Sequence, residues 1–330
     1  MAPLFRDKIC AVVAAPTARE MQAQLRRALK LTRTVELRLD YLRPGEVVPF
    51  LDWFDRQRTE YCTIATLRRR AAGGWFRGSL ARQLSALAAA WASGATWCDI
   101  ESESFAGAGL LWRDVLRAAG AQLLVSYHDF QRTPAGLAGI ERRLQRQHCH
   151  AVKIAARCHS YREAVRMLEL CRRKRNVIAV PMGEIGLPAR VLALKHGSAL
   201  AYAAVGERTA PGQLTIDEMK SLYRADKLDR HTKVYGVIGN PVSHSLSPQM
   251  HNAGFQGRHI NAVYLPFLVN DLRDFVAAIR PLDIAGFSVT LPWKERILEY
   301  LDECDPLAAK IGAVNTVTVR GRKLYGTNTD

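Results

Sequence analysis

Eight short apolar runs, each followed by a polar or amphipathic stretch, fill the first 224 residues, and no other feature restricts the fold as much. The runs are Ile9–Ala15, Thr34–Leu39, Tyr61–Leu67, Trp97–Glu101, Gln122–Ser126, Ala151–Ala155, Asn176–Pro181 and Leu200–Ala204. Their length and their content of Val, Ile and Thr read as buried strands. Helical spacing fills the gaps, as over Arg19–Leu29, Leu80–Ser93, Tyr161–Arg172 and Leu187–Lys195, and a last helix is expected over Ile216–Tyr223. Repeated βα units demand a parallel sheet with helices on its outside. Eight of them in this length predict a closed (β/α)8 TIM barrel. An open doubly wound sheet usually has fewer strands and a glycine-rich first turn, and no GxGxxG follows any strand here.

After Arg224 the pattern restarts. Residues 225–233 are polar and read as a linker between a first unit, 1–224, and a second, smaller α/β unit, 234–330. Strands of the second unit are expected near Val234–Ile238, Ala262–Pro266, Ala285–Val289 and Thr316–Val319. The chain carries 47 Lys and Arg against 31 Asp and Glu, a formal charge of +16. The basic residues are dispersed, with one local run at Arg172, Arg173, Lys174 and Arg175, and no nucleic-acid-reading motif accompanies them. We read a solvated basic surface, no nucleic acid partner, and attraction of small anionic substrates. Seven scattered cysteines without a CxxC argue against a disulfide framework. His148, Cys149, His150, Cys158 and His159 fit no standard zinc spacing, so no metal is expected. The run Ile9–Ala15 is too short to span a bilayer and lacks signal-type flanks. The expectation is no membrane association and a cytoplasmic location.

In a barrel the chemistry sits at the C-terminal ends of the strands. The second strand offers Glu36, Arg38 and Asp40, at alternate positions and so on one face. The third ends near Arg68, the fourth in Asp99 and Glu101, and the fifth in SYHDF with His128 at the mouth. Lys153 lies inside the apolar strand AVKIA, where an amine is costly unless it is paired or neutral. Burial and neighbouring cations would make it a nucleophile toward ketones. The resulting imine acidifies the adjacent C–H, which the imidazole of His128 could then remove.

These residues fall into motifs. ELRLD (36–40), TLR (66–68), DIE (99–101), SYHDF (126–130), VKIA (152–155), PMG (181–183), Arg190 and APGQ (210–213) resemble type I 3-dehydroquinate dehydratase, in that family's order over about residues 8–224. The resemblance implies an imine between Lys153 and the C3 ketone of 3-dehydroquinate, with no cofactor. It implies that His128 takes the C2 proton and returns one to the departing C1 hydroxyl. It makes Glu36, Arg38, Arg68, Arg190, Thr209 and Gln213 substrate contacts, with Arg190 on the carboxylate. There are two departures. Ala72 stands where the family usually has an acid that orients the histidine, and Ala189 where it usually has Ser.

The second unit holds GNPVSHSLSPQMHN (239–252), SVTLPWK (288–294), IGAVNT (311–316) and GTNTD (326–330). These resemble the substrate-binding domain of shikimate dehydrogenase. The resemblance assigns Ser245 and Ser247 to the shikimate carboxylate, and Thr290, Asn315 and Thr329 to its hydroxyls. Lys294 and Asp330 become a catalytic pair. The residues alone also allow the Ser cluster to be a helix cap before Pro248. The family uses NADP, bound by a Rossmann domain after the substrate domain; this sequence reaches Asp330, so we expect no reduction from it. An alternative to an active dehydratase is a non-catalytic sensor of the same metabolites, motivated by Ala72.

Overall fold

The computed structural model describes residues 4–57, 60–108, 120–206 and 212–330. The first eight strands are β1 (Ile9–Val13), β2 (Thr34–Arg38), β3 (Cys62–Thr66), β4 (Trp97–Glu101), β5 (Gln122–Asp129), β6 (Ala151–Arg157), β7 (Val177–Met182) and β8 (Ala201–Ala204). All pair in parallel, in the order β7-β6-β5-β4-β3-β2-β1-β8. The seam between β7 and β8 carries no ladder but is bridged by Ala199 N donating to Val177 O at 2.9 Å. The result is a nearly closed eight-stranded barrel.

Local sequence explains the helices between the strands. Thr17, Ser79 and Ser160 each cap a helix by accepting from the backbone N–H three residues on. Thr17 and Glu20 also bond side chain to side chain at 2.8 Å. The helix Tyr161–Arg173 turns a buried stripe of Ala164, Met167, Leu168 and Cys171 onto the sheet.

Inside the barrel, a two-residue step along the strands changes the chemistry. The floor is apolar: Cys10, Cys62, Ile64, Trp97, Leu124, Ala151, Ile178 and Leu200 cluster with Phe5, whose ring stacks on Trp97 at 4.6 Å. Two residues further on come Thr66, Asp99, Ser126, Lys153 and Tyr202, and Glu36 joins them from β2. The apolar floor keeps water from reaching this layer from below.

Several expected boundaries move. Asp40 is not on the second strand, which ends at Arg38; it sits in a 3-10 turn, Leu39–Tyr41, and takes a two-pronged bond from Arg38 at 2.9 and 2.8 Å. Strand β5 runs on through Asp129, so His128 lies within it rather than after it. The helix from Leu187 stops at Leu192, and Glu218–Leu222 forms a π-helical turn. Within 225–233, Ala225 and Leu228 are buried, so this stretch packs against the protein.

The second unit has six strands, two more than expected: β9 (Lys233–Gly239), β10 (Ala262–Leu268), β11 (Ile284–Val289), β12 (Glu303–Cys304), β13 (Thr316–Arg320) and β14 (Lys323–Thr327). Their order is β10-β9-β11-β13-β14-β12. The missed β12 is only two residues long, and β14 (KLYGT) has no run of apolar residues beyond Leu324 and Tyr325; β12 pairs with β14 and β14 with β13. The two units dock through the Tyr161–Arg173 helix. Asp274 accepts from Tyr161 N and Arg162 N at that helix's start, and the Tyr161 ring packs on Phe267 and Phe275.

Candidate active site

Lys153 is 6% exposed, and its ammonium nitrogen meets Asp99 Oδ2 at 2.9 Å and Glu36 Oε1 at 3.4 Å. Its nearest charged partners are therefore carboxylates, where the sequence reading expected cations. The face of Tyr202 covers the amine, 4.2 Å from nitrogen to ring centre. Each carboxylate is itself held. Thr66 donates to Glu36 at 2.9 Å, while Arg68 and Ser126 donate to Asp99 at 2.6 Å each. Arg68 also donates to Ser126 at 2.7 Å. Arg68 and Lys153 hold the Asp99 carboxyl far below the usual carboxylate range against the opposing effect of burial. Asp99 and Glu101 in turn raise the Arg68 guanidinium above its ordinary value, although burial opposes this.

In the parallel register Ser126 pairs with Lys153 and His128 with Ala155. His128 therefore faces the same side as Lys153, about 6.6 Å nearer the open end of the barrel. Its ring is half-buried, and its Nδ1 is shielded and has no hydrogen-bond partner. Burial, then Arg68 and Lys153, push the imidazole well below its ordinary value, so it is neutral at pH 7. A cavity of about 420 Å³ beside it is lined by Ala71, Ala72, Glu101, Glu103 and His128 itself. A side chain longer than alanine at position 72 has room there.

The other first-unit residues divide. Arg38 pairs with Asp40 and stacks near Tyr41, 4.9 Å from the ring centre. Arg190 lines a cavity of about 360 Å³ with Arg157, Met182, Gly183 and Phe130, whose ring stacks on His128 at 5.9 Å. Its Nε donates to Pro181 O at 2.6 Å, and burial lowers the guanidinium to about 10. A buried guanidinium without a carboxylate partner among the described residues is a receptor for one. Gly212 sits at φ +70° against Gly183, where an added Cβ would lie 2.4 Å from Gly183 O; only glycine allows this approach, which sets the buried Gln213 beside β7. Thr209 lies outside the described residues. Ala189 is wholly buried on its helix.

All seven residues expected in the second unit converge. Ser245, Ser247, Thr290, Lys294, Asn315, Thr329 and Asp330 line one cavity of about 540 Å³. Lys294 donates to Asp330 at 2.5 Å, which holds that exposed carboxyl below its ordinary value. Asn315 donates to Thr329 at 3.2 Å. Gly239 lets the loop fold onto Thr290, whose Cγ2 would be 2.5 Å from an added Cβ. Leu246, the N-cap residue of the helix starting at Ser247, has no side chain to cap it, but Ser245 Oγ accepts from Ser247 N at 3.3 Å, so Ser245 both caps the helix start and lines the cavity. The sequence reading missed His251, Ser288 and Thr316 in this wall. In the barrel it passed over Thr66 and Ser126, and over Tyr202, whose strand AYAA reads as ordinary core.

A family model of type I 3-dehydroquinase matches residues 9–230, two-thirds of the chain. The chain belongs to the type I 3-dehydroquinase family. Residues 237–317 of this dehydroquinase-family chain match a second model, the shikimate dehydrogenase substrate binding domain. A bifunctional 3-dehydroquinate dehydratase/shikimate dehydrogenase of Arabidopsis thaliana, named as chloroplastic, is 36% identical over 98% of this chain and 54% of its own length. A shikimate dehydrogenase (NADP(+)) of Bacillus mycoides is 55% identical over 30% of this chain and 36% of its own. The chain thus spans about half the length of the first and a third of the second. In fold, the dehydroquinate dehydratase and shikimate dehydrogenase of S. pombe AroM covers 99% of this chain, which covers 65% of it, with a TM-score of 0.55 at 21% identity.

Proposed function

We propose that the barrel dehydrates 3-dehydroquinate to 3-dehydroshikimate through an imine on Lys153. The observation that carries this is the amine itself, buried in a strand between Asp99 and Glu36 with a neutral imidazole one step above. The carboxylates position the amine, the neutral imidazole of His128 takes the ammonium's proton, and the free amine adds to the C3 ketone, whose oxygen leaves as water with the proton His128 returns. The imine draws electrons from C2, and His128 removes the C2 proton to leave an enamine. The enamine's electron pair expels the C1 hydroxyl, which leaves as water with the proton His128 returns. Hydrolysis of the conjugated imine then frees Lys153. Arg190 holds the substrate carboxylate, Gln213 and Arg38 border the site, and Thr209 is proposed there from the motif. No cofactor enters this sequence of steps. Borohydride with 3-dehydroquinate tests it: a reduced adduct on the Lys153 peptide, read by mass, is expected. Binding without an adduct would instead support the sensor reading.

We further propose two units, 1–224 and 234–330, joined by 225–233, with the second binding shikimate or 3-dehydroshikimate. Its hydroxyls, amide, ammonium and carboxylate suit a polyhydroxylated carboxylate. Relatives of the second unit are named shikimate dehydrogenase (NADP(+)), but the described residues of this unit offer no glycine-rich turn entering a helix that would cradle a pyrophosphate. We therefore derive no step through NADP. Lys294→Ala should weaken shikimate binding at least about tenfold by calorimetry; unchanged affinity would remove Lys294 from the site.

No helix among the described residues is long and apolar enough to cross a membrane. Seven free cysteines, five of them buried, support a reducing compartment such as the cytoplasm.

The orphaned Nδ1 of His128 makes Ala72 testable. Ala72→Glu places a carboxylate in the adjoining cavity, where it stabilises the imidazolium. The acid limb of kcat/KM should move to higher pH and kcat should rise. An unmoved limb would mean the new carboxylate does not reach the imidazole.

A further inference from the structure

The basic run at Arg172–Arg175 reads in the sequence as solvated surface, but the structure gathers it into a cavity. Arg172, Lys174 and Arg175 line a space of about 540 Å³. Lys195 and His196 face it from the segment before β8, Arg230 from the connecting stretch, and Asp283 from the second unit. These barrel segments lead into the N-terminal ends of β7 and β8, so the cavity lies at the opposite end of the barrel from His128. We propose that this cavity is a binding site for a small phosphate-bearing anion, held between the barrel and the second unit.

Charge carries the argument. Five cations meet one carboxylate in the lining. Asp283 is taken by Lys195 at 2.6 Å, and Lys174 reaches Glu141 at 3.0 Å. Arg172, Arg175 and Arg230 have no carboxylate partner among the described residues. Three guanidinium groups around one concavity repel each other until an anion joins them, and their planar forks match phosphate oxygens in pairs.

Arg172, Lys174, Arg175 and Arg230 are exposed at the mouth, but the wall behind them is buried. The Lys195 side chain is 2% exposed and His196 is 5% exposed. Arg172 donates to His196 Nδ1 from Nε at 3.2 Å and from Nη2 at 3.0 Å. A nitrogen that accepts carries no proton, so the neutral ring holds its proton on Nε2. That Nε2–H has no acceptor in the protein. Burial, Arg172 and Lys195 hold the imidazole down at about 4, so the ring is neutral at pH 7. An unsatisfied buried donor beside three guanidiniums that have no carboxylate partner among the described residues calls for an acceptor-rich ligand. The volume is that of a small-molecule site, not of a flat macromolecular contact.

Both units hold this wall. Arg172 Nη2 also donates to Pro281 O at 3.1 Å, and Lys195 reaches Asp283. A bound anion would therefore brace the junction as well as fill it. The proposal does not depend on the reaction assigned to Lys153.

Calorimetry of the 330-residue chain with pyrophosphate, and with inorganic phosphate, at fixed ionic strength in chloride tests it. Saturable binding of one equivalent is expected, with a matching rise in thermal midpoint. The double variant Arg175→Gln/Arg230→Gln changes two exposed side chains and should weaken binding at least about tenfold. Arg190→Gln should leave it unchanged. Absence of saturation, full binding by the double variant, or loss in Arg190→Gln would each overturn the proposal, the last by placing the anion at the other cavity.

Discussion

Lys153→Ala lowers kcat for 3-dehydroquinate dehydration by about 10⁴-fold or more, as expected when the group forming a covalent intermediate is removed. Borohydride then reduces nothing onto the protein. The change also has a structural cost. Lys153 is one of two cations in the buried set, and without it Asp99 keeps Arg68 while Glu36 keeps only the Thr66 hydroxyl. Removing one partner of a buried pair typically costs about 3–5 kcal/mol. A lower thermal midpoint is therefore expected, and circular dichroism must show a folded barrel before the rate is read. Lys153→Met, which keeps the length of the stem, separates the two effects. It too must be inactive, whatever its stability. A folded Lys153→Met enzyme within about a hundredfold of the parent rate would exclude the imine pathway, since hydrogen bonding alone would then account for the turnover.

The barrel was legible because its signal is redundant. Eight apolar runs at regular spacing leave few alternatives, and errors of up to three residues at a strand end did not alter the count. The errors have physical sources. Strand β5 outlasts its apolar run because the ladder to β6 continues through His128 and Asp129, which hydropathy cannot register. Asp40 left the strand because Arg38 and Asp40 satisfy each other at its end. Strands β12 and β14 lack the long apolar run that marked the others, and show as sheet through their ladders. The sites show the same division. Lys153 stood out as an amine inside an apolar strand, whereas the seven residues of the second cavity were expected only through the resemblance of their motifs, and the structure brings them to one cavity. Which charges would surround Lys153 was not readable, because Asp99, Glu36 and Lys153 meet only when the barrel brings residues 54 and 117 positions apart together. The Arg172–Arg175 run was read as solvated surface and Arg172, Lys174 and Arg175 are exposed, but the cavity they border could not be foreseen, because Lys195, Arg230 and Asp283 lie further along the chain.

His128→Ala separates imine formation from proton transfer at C2. The variant keeps Lys153 and both carboxylates, and solvent can take the ammonium's proton, so borohydride should still fix the substrate to Lys153, more slowly. Turnover should fall by about 10²–10⁴-fold, the range for losing a general base. The folded state should tolerate the change well, because the buried Nδ1 has no partner to lose. The pH dependence of stability gives an independent readout. His128 is held well below its ordinary value in the folded protein, whereas an unfolded histidine protonates near pH 6.5. As pH falls below about 6.5 the unfolded chain binds a proton that the native site refuses, so native stability drops. That stability is fully present above 6.5 and is lost toward the depressed folded value. His128→Ala removes this contribution and should flatten the fall in thermal midpoint between neutral and mildly acid pH. His196, held at about 4, works in the same direction and remains in the variant, so the slope is reduced without vanishing. An unchanged slope would mean the imidazole titrates normally in the native state. An absent borohydride adduct would mean that His128 is already required at the step that forms the imine.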